Sequence, residues 1–169
     1  MNFEIRHTFD VGVDELERVM FHEDLPGLLT DRMDLLIEMN LIEGRSEGDR
    51  LERRVRYLPY PMIKKIGPTT VEPEWMEWVE ESSYDLAAHA GRFTNTPARA
   101  RIAKLMVNGG TLRLVPKGPT RTERVVSGEL KIKVFIVGRI AEKIIHSHAK
   151  KLLDQEAAAI ASVLAEKLL

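Results

Sequence analysis

The sequence predicts an α+β fold: a curved antiparallel β-sheet of about six to seven strands wrapped around a long C-terminal α-helix, with two short helices after the first strand. Three observations carry that prediction. Residues 134–169 hold Ala141, Ile145, Ala149, Leu152, Ile160, Val163 and Leu164 at helical spacing with no proline, while Glu142, Lys143, Lys150, Lys151, Asp154 and Lys167 keep largely to other faces. The segments before this helix alternate apolar and polar residues with a period of two, which gives each strand one buried and one wet face. Turn residues recur between those segments at hairpin spacing. At about 1.5 Å per residue the helix runs on the order of 45 Å, so its apolar stripe needs a broad partner surface, and the sheet is that surface.

Taken in order, residues 2–10 place Phe3, Ile5, His7 and Phe9 on one side and Glu4, Arg6, Thr8 and Asp10 on the other, a half-buried strand with His7 pointing inward. Asp14 and Glu17 stand at capping-box spacing before a short helix whose Leu16, Val19 and Met20 face inward. Pro26 and Gly27 permit a second short helical piece. Met33, Leu35, Ile37, Met39 and Leu41 then alternate as a second strand, and residues 43–49, with Gly44 and Gly48, read as its hairpin turn. The third strand, residues 50–58, sets Leu51, Arg53, Val55 and Tyr57 on the inner face.

Pro59, Pro61, Pro68 and Pro73 break the sheet pattern, and between them a short apolar and basic element is formed by Tyr60, Met62, Ile63, Lys64, Lys65 and Ile66. From Trp75 to Leu86 the alternation resumes with Met76, Trp78, Glu80, Ser82 and Tyr84 on one face. Further strands are expected at 86–94, 100–107 and 111–116, with turns at 95–97, 108–110 and 117–119. The last strand, 121–134, sets Val126, Leu130, Ile132 and Val134 against Ser127, Glu129, Lys131 and Lys133.

The 169 residues are read as one domain, 1–169. Basic and acidic residues nearly balance, 25 against 26, so no global field points to nucleic acid. The absence of cysteine removes disulfides, thiol catalysis and cysteine-type zinc sites. The start lacks the apolar core of a signal peptide and no run approaches a membrane span, so a cytoplasmic protein is expected.

The opening FEIRHTFDVGVDELERVM and the close GGTLRLVPKGPTRTERVVSGELKIKVFIVGRIAEKII resemble the START-like (SRPBCC, helix-grip) superfamily, which includes polyketide cyclases and StAR-related lipid-transfer domains, and in particular a bacterial branch of unassigned function. LPYPMIKKIG is similar to a segment of PRELI-like phospholipid-transfer proteins. The resemblance implies a helix-grip fold with a cavity between sheet and helix, and says little of activity, because such folds host binders, transporters and enzymes.

His7, Met39, Arg53, Tyr57, Trp78, Glu80, Tyr84, Ile145 and His148 are the candidate ligand-binding residues. His146 and His148 diverge by roughly 200° on a helix and cannot chelate one ion from the same face, so no metal is expected. His148 at the edge of the stripe is either a hydrogen-bonded core histidine or a ligand contact, and the same pair of readings holds for His7. Arg53 and Glu80 are inward charges, which are costly unless paired or wet. Three readings stand: a register displaced by one residue, a structural bridge, or a hydrated cavity that orients a polar head group. Met33, Met39, Met62, Met76 and Met106 are core filler or the flexible wall of a pocket for varied apolar guests. The chain has no Gly-x-Ser-x-Gly elbow, phosphate loop or His-Glu-x-x-His motif, so no catalytic residue is assigned and no cofactor is expected. The expected function is binding, with transport as its extension, of a hydrophobic or amphipathic small molecule such as a lipid. The alternative is a polyketide cyclase/dehydratase-like or hydrolase enzyme using the same cavity. A filled-core interaction module is the third class. Residues 60–66 read either as a loop closing one end of the core or as a lid that makes transient membrane-surface contact.

Overall fold

The computed structural model describes residues 1–62, 64–66, 68–133 and 138–169. Strand β1 (Asn2–Phe9) is followed by α1 (Val13–Met20) and α2 (Leu25–Thr30), then by β2 (Leu36–Glu47) and β3 (Arg50–Pro59). A small hairpin, β4 (Lys65–Ile66) and β5 (Thr69–Thr70), precedes β6 (Trp78–Asp85), β7 (Ala90–Pro97), α3 (Ala100–Ala103), β8 (Met106–Pro116), β9 (Thr122–Ile132) and α4 (Gly138–Glu166). Seven strands form one sheet in the order β1-β9-β8-β7-β6-β3-β2, antiparallel throughout. Strands β1 and β2 lie at opposite edges, and α1 and α2 carry the chain between them. This is the helix-grip architecture.

The inner faces follow the alternation. On β1, Ile5 and Phe9 are buried while Asn2, Glu4, Arg6 and Thr8 are exposed. On β3, Val55 and Tyr57 are buried and Arg50, Glu52 and Arg54 are exposed, so the register that turns Arg53 inward is the one present. The two halves of α4 differ in what they cover. Its C-terminal half buries Ala157, Ala159, Ile160 and Val163 against Leu16 and Val19 of α1 and Leu25 and Leu29 of α2. Full burial of such a side chain stabilises by about 1.5–3 kcal/mol, so this end is the anchored one. The N-terminal half is tied to the sheet by polar contacts instead: Ile132 N–H donates to the Glu142 carboxylate at 2.9 Å, and the terminal ammonium lies 3.5 Å from the same group.

Four sequence expectations are corrected. Residues 43–47 belong to β2, with Glu47 paired to Arg50, so the turn is only Gly48 and Asp49, and Gly48 takes the left-handed φ of +57°. The strand expected at 86–94 begins only at Ala90, after a turn through residues 86–89, and runs to Pro97 through the turn expected at 95–97. Residues 100–103 are helical, and the strand resumes at Met106. Asn108-Gly109-Gly110 is not a turn but the middle of β8: a Cβ at Gly110 would collide with the Ser127 carbonyl oxygen, so glycine there serves close backbone approach. Smaller differences follow proline and bulge chemistry. A 3-10 turn at Pro73–Trp75 delays β6 to Trp78, and β2 starts at Leu36 with register shifts at Leu36/Glu38 and Leu41/Glu43. The expected ends of the last strand and the start of the long helix at residues 134–137 lie outside the described residues.

Candidate functional site: a cavity under the long helix

Between the concave face of the sheet and the N-terminal half of α4 lies a cavity of about 290 Å³. It exists because a twisted sheet curls away from a straight helix, and because the small Ala149 faces it where a larger side chain would fill it. Its wall is mostly apolar, and both tryptophans of the chain, Trp75 and Trp78, lie on it. Met39, Arg53, Tyr57, Trp78, Glu80, Tyr84, Ile145 and His148 all line it, as do Met20, Met33, Met62, Met76 and Met106.

His7 does not line it. Its Nε2 lies 3.0 Å from Asp154 Oδ1, and its Nδ1 lies 3.2 Å from an Arg124 amino group. Arginine can only donate, so Nδ1 accepts and Nε2 carries the proton that Asp154 receives. Burial and the Arg124 charge both hold the imidazole below its ordinary range, against the pull of Asp154, so His7 is a neutral strut between β1, β9 and α4.

Arg124, 2% exposed, is the centre of that strut. It donates to Glu156 at 2.6 Å and to the Leu153 carbonyl at 3.2 Å, and it lies over the Phe9 ring. Arg124 and Glu156 both reach the cavity wall. Sequence reasoning missed them although a signal existed. Arg124 shares the inward parity of Val126 and Leu130, and Glu156 lies four residues from both Leu152 and Ile160 on the helical stripe. Asn95 was missed for want of register: it faces Glu80 directly across β6 and β7.

Arg53 and Glu80 are diagonal neighbours on the inner face, since Arg53 pairs with Ser82 and Glu80 with Val55. Of the three readings, the structural bridge is not made: the Arg53 guanidinium donates to the Met20 carbonyl at 3.1 Å and lies 5.6 Å from the Phe21 ring centre. No donor among the described residues reaches the Glu80 carboxylate. Burial, reinforced by the charge of Glu156 and opposed by Arg53 and Arg124, pushes its pKa up to about 7. Beside it, Tyr57 stacks on Trp78 with ring centres 4.8 Å apart and planes within 5°. Burial and the nearby Glu80 push the Tyr57 phenol up. The Tyr84 ring borders the cavity, but its hydroxyl is committed to Glu17 at 2.7 Å; Glu17 also receives His89 Nδ1 at 2.8 Å. Buried side-chain atoms without a partner among the described residues are Asn95 Oδ1, Arg124 Nε and His148 Nε2, and all three residues line the cavity. Burial also holds His148 below its ordinary range.

His146 is turned toward Phe3, with ring centres 6.0 Å apart. Among the described residues there is no cluster of three or more side chains fit to hold a metal ion, and no helix long and apolar enough to cross a membrane. In the 60–66 segment, Tyr60 is 53% exposed, Met62 reaches the cavity wall, and Lys64 and Lys65 are exposed. Ile63 lies outside the described residues, as does the side chain of Ile66.

A family model described as protein of unknown function, DUF2505, matches residues 61–164. No curated protein matches the chain in sequence. Among solved structures, a Thermus thermophilus protein is 17% identical with a TM-score of 0.66, covering 96% of this chain and 99% of its own. The Zhui aromatase/cyclase of a Streptomyces species is 12% identical with a TM-score of 0.67, covering 100% and 96%. Norcoclaurine synthase of Thalictrum flavum, solved with dopamine and hydroxybenzaldehyde, is 18% identical with a TM-score of 0.65, covering 98% and 87%. At such identities the likeness is one of fold.

Proposed function

The chain belongs to the DUF2505 family of proteins of unknown function, and we propose that it binds a hydrophobic or amphipathic small molecule in the cavity between sheet and helix, within a single domain spanning residues 1–169. One observation carries the proposal: a concave space of about 290 Å³, at the lower end of the range of ligand pockets, walled mostly by apolar side chains with a few converging polar groups. A filled-core interaction module would not leave that space open, since protein interiors pack to crystal-like density. The residues proposed to contact the guest are Met39, Arg53, Tyr57, Trp78, Glu80, Tyr84, Ile145 and His148. His7 is removed from that set because both its ring nitrogens are already engaged.

The finer form of the proposal is a lipid guest loaded at a membrane surface. It is supported by the exposed Tyr60, Lys64 and Lys65 beside the cavity-facing Met62, a mixture that suits a headgroup boundary. A second reading, an enzyme using the same cavity, is favoured by Glu80, whose pKa near 7 and lack of a partner suit a general acid or base. Native mass spectrometry of the purified protein tests the binding proposal. A bound species of a few hundred daltons, released on denaturation, is expected. Bare protein that also takes up no apolar probe would contradict the proposal, and a bound species chemically altered over time would favour the enzyme.

A further inference from the structure

We propose that the cavity selects an amphipathic carboxylate, its anionic head held by the Arg53 guanidinium and its tail lying along the Tyr57–Trp78 stack. The proposal rests on the ligand-binding reading above and deepens it by naming the head group.

The reasoning is one of charge. Of the arginines and glutamates that reach the cavity wall, Arg92 is exposed and Glu77 is paired with Arg56 at 2.9 Å. Arg124 and Glu156 form an ion pair with each other at 2.6 Å. Arg53 and Glu80 remain, and no ion pair joins them. Arg53 is a half-buried cation whose hydrogen bond goes to a neutral carbonyl, that of Met20. A desolvated cation without an anion is costly, and a ligand carboxylate offsets that cost by accepting from the donors of the planar guanidinium that Met20 leaves free.

Glu80 decides when the anion fits. Ionised, it repels a second carboxylate across the roughly 7–8 Å that separates diagonal neighbours in a sheet. Protonated, it removes that repulsion, and its cross-strand partner Asn95 offers as acceptor an Oδ1 that lacks a partner among the described residues. The site is then charge-balanced: one guanidinium, one ligand carboxylate, one neutral acid. Burial already brings the Glu80 pKa up to about 7, so the proton that accompanies the ligand is available near neutrality. The other groups facing Glu80 do not take over this role. Burial pushes Tyr57 on β3 up, and burial with the Lys151 charge pushes His148 on α4 down, so both shift away from the range in which Glu80 titrates. Arg124 on β9 and Glu156 on α4 remain an internal pair.

Binding should therefore be linked to proton uptake, with affinity falling as pH rises through the Glu80 pKa. A matched series of decanoate, 1-decanol and decylamine tests this by competition with the apolar dye 1-N-phenylnaphthylamine at several pH values between about 6 and 8.5, spanning the value to which burial raises such an acid. Decanoate is expected to bind at least about tenfold more tightly than 1-decanol near pH 6.5, the scale of a charge-assisted hydrogen-bonded pair. That preference should shrink as pH rises, while the 1-decanol affinity stays level. Arg53→Met should abolish the preference, and Glu80→Gln should abolish its pH slope. If 1-decanol or decylamine binds as well as decanoate, if the preference grows with pH, or if Arg53→Met retains it, the carboxylate proposal is overturned while the binding reading stands. If neither dye nor any of the three amphiphiles binds, both fail.

Discussion

Replacing Glu80 with Gln should stabilise this protein at pH 8 and leave it nearly unchanged at pH 4.5. The carboxyl group faces an apolar cavity with no donor among the described residues, and burial lifts its pKa from the ordinary 4.5 to about 7. That is roughly two and a half decades of proton affinity at about 1.4 kcal/mol per decade, or about 3 kcal/mol. The sign follows from proton counting. Between the two values the folded state holds the proton more tightly than the unfolded chain, so stability falls as pH rises from 4.5 to 7 and the cost is complete above 7. Gln keeps the shape without the charge and should recover most of that cost. Water within the cavity screens the group, so about 3 kcal/mol is an upper bound; half of it, at roughly 2–4 °C per kcal/mol, still raises the melting temperature by about 3–6 °C. Urea unfolding of wild type and variant in parallel at pH 4.5, 6 and 8 reads the difference directly. Because the two chains share all other carboxylates, the general loss of stability in acid cancels. A difference that is absent at pH 8, or equal at all three pH values, would refute the placement of Glu80 as an unpaired acid on the cavity wall.

Ile160→Ala, at the junction of α4 with α1 and α2, should cost about 2–5 kcal/mol in chemical unfolding, whereas Ile145→Ala on the cavity wall should cost clearly less because its side chain already borders empty space. Equal costs would mean that the cavity is packed in solution. Arg124→Met should cost about 3–5 kcal/mol by stranding Glu156, and adding Glu156→Leu should restore much of it; an additive double variant would show that the buried pair is not coupled. Lys64→Glu with Lys65→Glu should weaken association with anionic liposomes at low salt while moving the melting temperature by less than about 1 °C, and unaltered association would reduce the 60–66 segment to a loop.

The parts of this fold that could be read from sequence are those where a period of two or 3.6 runs uninterrupted. Phe3 to Phe9, Leu51 to Tyr57 and Trp78 to Tyr84 each carry such a run, and their inward faces supply most of the candidate site. Reading failed where residue chemistry is ambiguous. Asn108-Gly109-Gly110 has the composition of a turn, yet its glycines serve the close approach of β8 to its neighbouring strands. The helical stretch at residues 100–103 is too short for any periodicity to register. Partner choice was illegible for another reason. Alternation shows that His7, Arg53 and Glu80 face inward, but which group each one meets depends on elements distant in sequence. His7 meets Asp154 and Arg124, Arg53 meets Met20, and Glu80 meets no donor among the described residues. The same distance hid the link from Glu17 on α1 to Tyr84 and His89.

The presence of a guest-accepting cavity is the central claim, and tryptophan fluorescence tests it most directly, because both tryptophans of the chain line that cavity and both can transfer energy to a dye bound inside. Titration with 1-N-phenylnaphthylamine should give saturable energy transfer at one dye per chain. Ala149→Trp, which projects a large ring into the space from α4, should abolish the saturable component while the far-ultraviolet circular dichroism stays unchanged. Absence of saturable transfer in the wild type, or its persistence in a folded Ala149→Trp variant, would contradict the account.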